Sequence, residues 1–320
     1  MERLKALSLF SGCGGMDLGL QGGFKYLDND FKKHSIDILL GIDNDPYAAK
    51  IYNENFSHEC VVKDIKDLNH NELPEHDILL GGFPCQSFSI SAQNPPRLGI
   101  KDERGELFFE MCKILKEKQP RFFVAENVKG ILSANKKEAF PLIIKEFEQS
   151  GYHIKFQLLN SSDFGIPQKR ERVFIVGFKS EEDYFRFSFP KPITTDEKVP
   201  LKSVLQDNIT EKYFFSERAV AGMKRVQHKM NKGRAQNINL PCNTISAHLA
   251  KVSLNSTDPV LLENGKYRRF TPREAANIQS FPSDFQLEVV SENRQYRAIG
   301  NAVPPVVMWH IGNSLMQIVE

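Results

Sequence analysis

The run Asp77-Ile78-Leu79-Leu80, closed by Gly81-Gly82, constrains the fold of this chain more than any other stretch. A short apolar run between turn formers reads as a buried strand. It leads directly into Phe83-Pro84-Cys85-Gln86-Ser87-Phe88-Ser89-Ile90-Ser91. A thiol therefore stands on a loop just beyond a strand's carboxyl end, where open α/β sheets carry their chemistry. Pro84 fixes the backbone before the cysteine, and the glycine pair lets another molecule approach closely. An isolated cysteine is most often a buried structural residue. The polar, turn-rich flank of Cys85 points the other way, to a reactive thiol.

The same alternation of apolar run and polar turn recurs along the chain. Ala6 to Phe10 reads as the first strand, followed by Ser11-Gly12-Cys13-Gly14-Gly15-Met16-Asp17-Leu18-Gly19. A glycine-rich turn between strand and helix lets a nucleotide-like ligand lie against the backbone and the helix amino terminus. A nicotinamide fingerprint would have a third glycine where Asp17 stands, which disfavours an oxidoreductase. Ile36 to Ile42 reads as the next strand and ends in Asp43-Asn44-Asp45-Pro46. A carboxylate at this strand tip is the usual grip on a ribose diol. A helix N-cap is the competing role, and Asp45 before Pro46 fits it. Asp43 is thus assigned to ribose and Asp45 to capping, while Lys25 to Lys33 lengthens the first crossover.

Cys60 to Ile65 reads as a short third strand, in which Asp64 taken alone is a turn residue. Arg104 opens an amphipathic helix running to about Lys118, where Leu107 is either core or a ligand contact. Phe122 to Ala125 is a buried strand that delivers Glu126. A carboxylate at the end of an apolar strand is costly unless it has a task or a partner. Burial would raise its pKa and make it an acid near neutrality, unless it serves only as a cap. Lys169-Arg170-Glu171-Arg172 precedes the strand Val173 to Phe178. Such a cluster is either a solvated ion-pair patch or a set of donors for a phosphate or a base oxygen.

With 320 residues, 41% hydrophobic and 26% charged, the chain has the make-up of a soluble globular protein with one large domain and a smaller one. Its net charge of +2 says nothing for or against nucleic acid, so any such footprint must be local. Five cysteines without a C-x-x-C pair signal neither a disulfide framework nor a zinc site, and no metal is expected. The five-residue apolar stretch near Met1 is too short for a signal peptide, and no run approaches a membrane span. A cytoplasmic, nucleoid-associated protein is the expectation.

In their order, these stretches resemble the cytosine carbon-5 DNA methyltransferases, prokaryotic restriction-modification type, from Leu7 to about Val307. Enzymes that methylate exocyclic amines carry an Asp/Asn-Pro-Pro-aromatic tetrad, which is absent here. Carbon 5 of cytosine is a poor nucleophile, so a thiolate must first add at carbon 6. The resemblance makes Cys85 that nucleophile and Glu126 the acid on ring nitrogen 3. Arg172 then stands beside the base, with Arg170 and Gln168 as neighbours serving base, backbone or fold. It implies S-adenosylmethionine as cofactor, cradled by Phe10, Ser11, Gly12, Gly14, Gly15 and Met16, with Phe10 on the adenine side. Asp43 would hold ribose, Asn44 and Ile65 would adjoin adenine, and Asp64 would take its amino group. Pro84 and Leu107 would complete the wall, and Asn301, Ala302 and Val303 would meet the methionine part. Some relatives carry glutamate and an aromatic where Asp43-Asn44 stands, a departure touching adenine stacking alone.

Ser89 and Ser91 match DNA-facing residues of the cysteine loop, and Gln93 to Arg104 a segment that closes over DNA. From about Ser180 to Lys266 the sequence is polar and irregular, with a basic cluster that includes Arg218, Lys224, Arg225, Lys229, Lys232 and Arg234. Such a run is ordinarily a solvated face; in a DNA enzyme it neutralises phosphates while loops reach base edges. Pro241 to Ser246 resembles the threonine motif of family recognition regions, which makes Thr244 a DNA contact. Tyr267 to Ala276 matches an element that braces that region, with Arg273 structural.

The expectation is thus an α/β protein: a Rossmann-like, mostly parallel methyltransferase sheet with a smaller irregular target-recognition domain. Residues 1–190 and 272–320 form the catalytic domain and 191–271 the recognition domain. The expected activity is methyl transfer to carbon 5 of a flipped cytosine in a short double-stranded DNA site, by a monomer with a cognate restriction endonuclease as genetic partner. Two rivals are a transfer-RNA cytosine-5 methyltransferase and a non-catalytic DNA-binding relative, the latter opposed by the presence of Cys85, Glu126 and the glycine loop together.

Overall fold

The computed structural model describes residues 3–84, 103–194, 196–222, 235–251 and 258–319. Its centre is a seven-stranded sheet built from β1 (Leu4–Leu9), β2 (Ile36–Asp43), β3 (Cys60–Val62), β4 (Ile78–Gly81), β5 (Phe122–Val128), β6 (His153–Asn160) and β7 (Glu171–Phe178). The spatial order is β3-β2-β1-β4-β5-β7-β6. Strands β1 to β5 pair in parallel, and β7 runs antiparallel to both β5 and β6. The expected mostly parallel sheet is present. The edge strand β6 was not anticipated.

Helices cover both faces: α1 (Gly15–Gln21), α2 (Pro46–Asn55), α3 (Glu103–Lys118), α4 (Ala139–Gln149), α5 (Glu181–Arg186), α6 (Pro272–Ile278), α7 (Glu292–Asn301) and α8 (Pro305–Val319). Successive strand residues alternate between two cores, as the pleat requires. Ala6, Ile38, Leu80, Val124 and Phe174 pack with Leu20, Val306, Ile311 and Leu315 from α1 and α8. Leu7, Leu79, Phe123, Val173 and Ile175 pack instead with Phe108, Met111, Leu115 and Phe147 from α3 and α4. Burial on both faces is why these strands read as continuous apolar runs. Asp45 caps α2, its carboxylate accepting from the Tyr47 amide at 3.0 Å, with Pro46 at the first turn. Among the described residues no helix is long and apolar enough to cross a membrane.

The lengthened first crossover is a hairpin, Phe24–Tyr26 with Asn29–Phe31. Phe31 meets the Trp309 ring edge-on at 5.2 Å, and Tyr26 donates to the Asn277 carbonyl. The insertion therefore ties α6 and α8 together.

The described residues of 191–271 carry little regular structure: short 3-10 turns, a helical stretch at 217–222, a hairpin of Leu261–Glu263 with Lys266–Arg268, and Cys242–Asn243 paired in parallel with Gln168–Lys169. Leu201, Val204, Ile245, Leu249, Leu261 and Phe270 join the same core as α1 and α8. The segment is thus anchored by a shared core. Thr271 starts α6 with a capping box to Glu274. Glu274 is fully buried and takes both terminal nitrogens of buried Arg268, at 2.8 and 2.9 Å. It also accepts from the amides of Thr271 and Gln206. Removing Glu274 leaves the buried guanidinium with Glu263 alone, bonded at its Nε, and strands both terminal nitrogens together with the Thr271 and Gln206 amides, which costs on the order of 3–5 kcal/mol. Glu274→Ala should therefore lower unfolding stability by about that amount in urea titrations. A change below about 1 kcal/mol would mean that this pair does not brace the segment.

Candidate active site

The site begins with strand register. Glu126 on β5 lies opposite Phe174 on β7, and Arg172 lies opposite Val128. Residues two apart on a strand share a face, so this pairing turns Arg172 toward Glu126. Arg172 Nε donates to Glu126 Oε1 at 2.9 Å, and its Nη1 donates to the Glu171 carbonyl. Burial pushes the Glu126 pKa above the ordinary carboxylate value, and Arg172 and then Arg170 oppose the rise. The arrangement is an acid held in one orientation and poised to keep a proton.

Asn127, the next residue, fixes the loop of β4. Its Nδ2 donates to the Phe83 carbonyl at 3.0 Å, and its Oδ1 accepts from the Val128 amide. Phe83 is buried, its ring 5.2 Å from that of Phe108. Pro84 lines the cleft beside Glu126. Cys85 is next in the chain and lies outside the described residues, as do Ser89, Ser91, Lys224, Arg225, Lys229 and Arg234.

A cleft of about 910 Å³ runs across the carboxyl ends of the parallel strands. It brings together Phe10, Ser11, Gly12, Gly15 and Met16 from the glycine loop and Asp43, Asn44, Asp64 and Ile65 from the ends of β2 and β3. Leu107 of α3 and Asn301, Ala302 and Val303 after α7 complete it, with Glu126, Arg170 and Arg172. Phe10 turns the chain out of β1 with φ 55°, a left-handed conformation rarely taken by a bulky residue. Gly15 is required where it stands, since a Cβ would come within 2.2 Å of the Val303 carbonyl oxygen. Asp43 Oδ2 accepts from the Gly12 amide at 2.7 Å and Oδ1 from the Asp45 amide at 2.8 Å. A carboxylate has about four acceptor positions, so two remain for a diol. Asp64 caps the 3-10 turn at Ile65 through one oxygen and lines the cleft as well.

The loop rests on a buried acid. Asp17 accepts from Ser8 Oγ at 3.0 Å and from Tyr52 Oη at 2.8 Å, and Ser11 Oγ bonds Ser8 in turn. Burial pushes the Asp17 pKa up to about 6, against the pull of those hydrogen bonds.

Three expectations change or narrow, and Thr244 keeps its own with one atom committed. Gly14 caps α1 and faces the Phe56 ring, away from the cleft. Gln168, for which a DNA contact stood beside backbone and fold roles, is fully buried: it donates to Gln279 Oε1 at 2.7 Å and accepts from the Ile245 amide at 2.8 Å. Its pairing with Cys242 turns it inward. Arg170, left open between base, backbone and fold, is also buried, and its terminal nitrogens are spent on the carbonyls of Ile245, Gly300 and Ala302. It shapes the cleft wall by holding backbone. Thr244 uses its hydroxyl as a donor to the Lys169 carbonyl at 2.7 Å, leaving its oxygen lone pairs for an outside donor. Asn127, Lys63, Ser133 and Arg297 line the cleft without having been singled out. Only Asn127, adjoining Glu126, carried a signal that sequence could have used. Among the described residues no cluster could hold a metal ion.

Residues 4–317 match a family model described as C-5 cytosine-specific DNA methylase. The chain is 35% identical to the Type II methyltransferase M.FnuDI of Fusobacterium nucleatum, covering 94% of this chain and 91% of that protein. It is 32% identical to the Type II methyltransferase M.Bsp6I of Bacillus sp. (strain RFL6), covering 98% of each. Among solved structures, the Entamoeba histolytica methyltransferase EhMeth superposes with a TM-score of 0.78 at 19% identity over all of both chains. The S. pombe Dnmt2 methyltransferase gives 0.77 at 22% identity, over 98% of this chain and 99% of that one. These two share the fold.

Asp17 makes stability depend on pH in a direction opposite to that of a salt-bridged carboxylate. Its folded pKa of about 6 lies above its unfolded value, so the folded state binds the proton more tightly. The stabilisation is complete below about pH 4 and is lost as pH rises through about 6. Asp17→Asn should lack this dependence. The stability of the natural chain relative to the variant should fall by about 3 kcal/mol between pH 4 and 7 in urea titrations. A constant offset across that range would contradict it.

Proposed function

The chain belongs to the C-5 cytosine-specific DNA methylases, and on that premise we propose how its own residues carry the reaction. Its activity is methylation of carbon 5 of cytosine in DNA. The observation that carries the mechanism is the buried Glu126–Arg172 pair, lining the same cleft as the Pro84 that precedes Cys85. A base inside a stacked duplex is out of reach of a buried acid, so the target cytosine must leave the stack and enter the cleft.

Cys85 then adds as thiolate, its sulfur bonding carbon 6 while Glu126 supplies a proton to nitrogen 3. The electron pair released into the ring makes carbon 5 nucleophilic. Arg172 keeps Glu126 oriented and offers further donors to the base. Carbon 5 takes the methyl group, leaving S-adenosylhomocysteine as the thioether, and gives up its proton to water. Nitrogen 3 returns its proton to Glu126, and the bond from carbon 6 to sulfur breaks to free Cys85. Asn127 holds the Phe83 carbonyl and so fixes the approach of the cysteine loop.

The cleft suits S-adenosylmethionine. That cofactor, when bound, supplies an electrophilic methyl group. Asp43, oriented by two amides, has the free acceptors a ribose diol needs; Asp64 offers one to an amino group, and Phe10 and Ile65 offer apolar surface to a base. Asn301, Ala302 and Val303, set against Gly15, would meet the amino-acid end.

We further assign residues 191–271 to target recognition, with Thr244 and the basic cluster from Lys224 to Arg234 on DNA, and residues 1–190 and 272–320 to catalysis. A cytoplasmic monomer acting at the chromosome beside a cognate restriction endonuclease completes the proposal. It is supported by the likeness to relatives named Type II methyltransferases.

Base-resolution conversion sequencing of a plasmid carrying this gene, grown in a methylation-free host, should show protected cytosines at one short motif. Cys85→Ala should abolish that protection; its persistence would remove Cys85 from the chemistry. Glu126→Gln keeps the shape of the side chain but cannot supply the proton. It should lower kcat by about 10²–10⁴-fold with little change in KM, and an unchanged kcat would refute the acid role.

A further inference from the structure

The end of α7 and the segment 242–247 are joined by side chains that the chemistry does not use. A helix leaves its last carbonyls without partners inside the helix. At the end of α7, Arg170 Nη2 takes the carbonyls of Gly300 and Ala302, at 3.1 and 2.9 Å. Gln279 Nε2 takes that of Ile299 at 2.9 Å. The same groups also satisfy the backbone of Ile245 on both sides. Its carbonyl receives Arg170 Nη1 at 3.0 Å, and its amide donates to Gln168 Oε1, while Gln168 itself donates to Gln279. All three side chains are buried. The two backbones also touch directly, because a Cβ on Gly300 would stand 2.3 Å from the Ala247 nitrogen. Breaking any of these bonds strands a buried polar group, at about 1–3 kcal/mol each. The two segments therefore move together or not at all.

One of them, 301–303, walls the proposed cofactor cleft, and the other carries Thr244 on the proposed recognition side. We infer that Arg170, Gln168 and Gln279 are positioning residues that couple the two sites, so that cofactor and DNA each tighten the binding of the other. Linkage makes the effect reciprocal, with a size of several-fold to about a hundredfold in ordinary cases. The inference rests on the proposed cofactor and recognition sites.

The test is calorimetric titration of the full chain with S-adenosylhomocysteine, alone and with duplex plasmid DNA from a methylation-free host. The natural chain should bind it about tenfold more tightly with DNA present. Gln279→Met and Arg170→Lys should each bring that ratio below about twofold. A purely structural role would lower Tm and leave the ratio intact, which overturns the inference, as does a ratio of one in the natural chain. If the natural chain binds no S-adenosylhomocysteine at all, the cofactor assignment falls, and the inference with it. Hydrogen exchange on the natural chain needs no folded variant. S-adenosylhomocysteine without DNA should slow exchange of the Ile245 and Ala247 amides, and unchanged rates there would equally overturn the coupling.

Discussion

A carboxylate at the end of a buried strand needs a cation that arrives from outside that strand, and the rest of the site follows from how this one is supplied. In a parallel sheet every neighbour brings its carboxyl end to the same rim, so only residues after a strand reach the site. Strand β7 is reversed, so it brings residues that precede it. That is how Arg172, at the start of its strand, meets Glu126 near the end of β5 at 2.9 Å. The glycine loop, Asp64 and Pro84 follow their strands and Asp43 ends its own; Arg170 and Arg172 come at the start of theirs. One antiparallel strand in an otherwise parallel array gives the rim a cation that no crossover loop has to carry.

The acid gains from being imperfectly neutralised. Desolvation is the largest influence on Glu126 and raises its pKa, while Arg172 and Arg170 only reduce that rise. A fully compensating partner would hold the carboxylate ionised and useless as a proton donor. Arg170 can sit nearby without overcompensating because its forked donors are turned to backbone carbonyls. A second buried acid, Asp17, performs a different task with hydroxyl partners and no cation. Tyr52 and Ser8 hold it beneath the glycine loop, linking β1, α1 and α2 in one network. Partner chemistry, more than depth of burial, divides the two roles.

Much of this was legible in the sequence because the strands are buried on both faces and read as short apolar runs ending in glycine or acid. Glu126 was legible for the same reason, as a charge where the pattern forbids one. Strand β6 was passed over because it lies at the sheet edge and carries the alternation of a half-buried strand, His153 to Leu158, in place of a continuous apolar run. The buried roles of Gln168 and Arg170 were hidden for another reason. Lys-Arg-Glu-Arg has the look of a solvated patch, and the carbonyls that draw Arg170 inside belong to residues 75 to 132 positions away. Nothing local distinguishes an arginine that will be satisfied by remote backbone from one that will face water.

The irregularity of residues 191–271 has a physical basis as well. Among its described residues the segment forms no core of its own; Leu201, Val204, Ile245, Leu261 and Phe270 are absorbed by the one that α1 and α8 already build. Its polar anchors are equally borrowed: Arg268 on Glu274, and the Ile245 backbone on Arg170 and Gln168. A segment held at such points does not need regular hydrogen-bond ladders between them. The chain between the anchors is then released from packing constraints, so its side chains can be chosen for what they touch outside. Side chains can change there while the anchors, and through them the wall of the cleft, stay as they are.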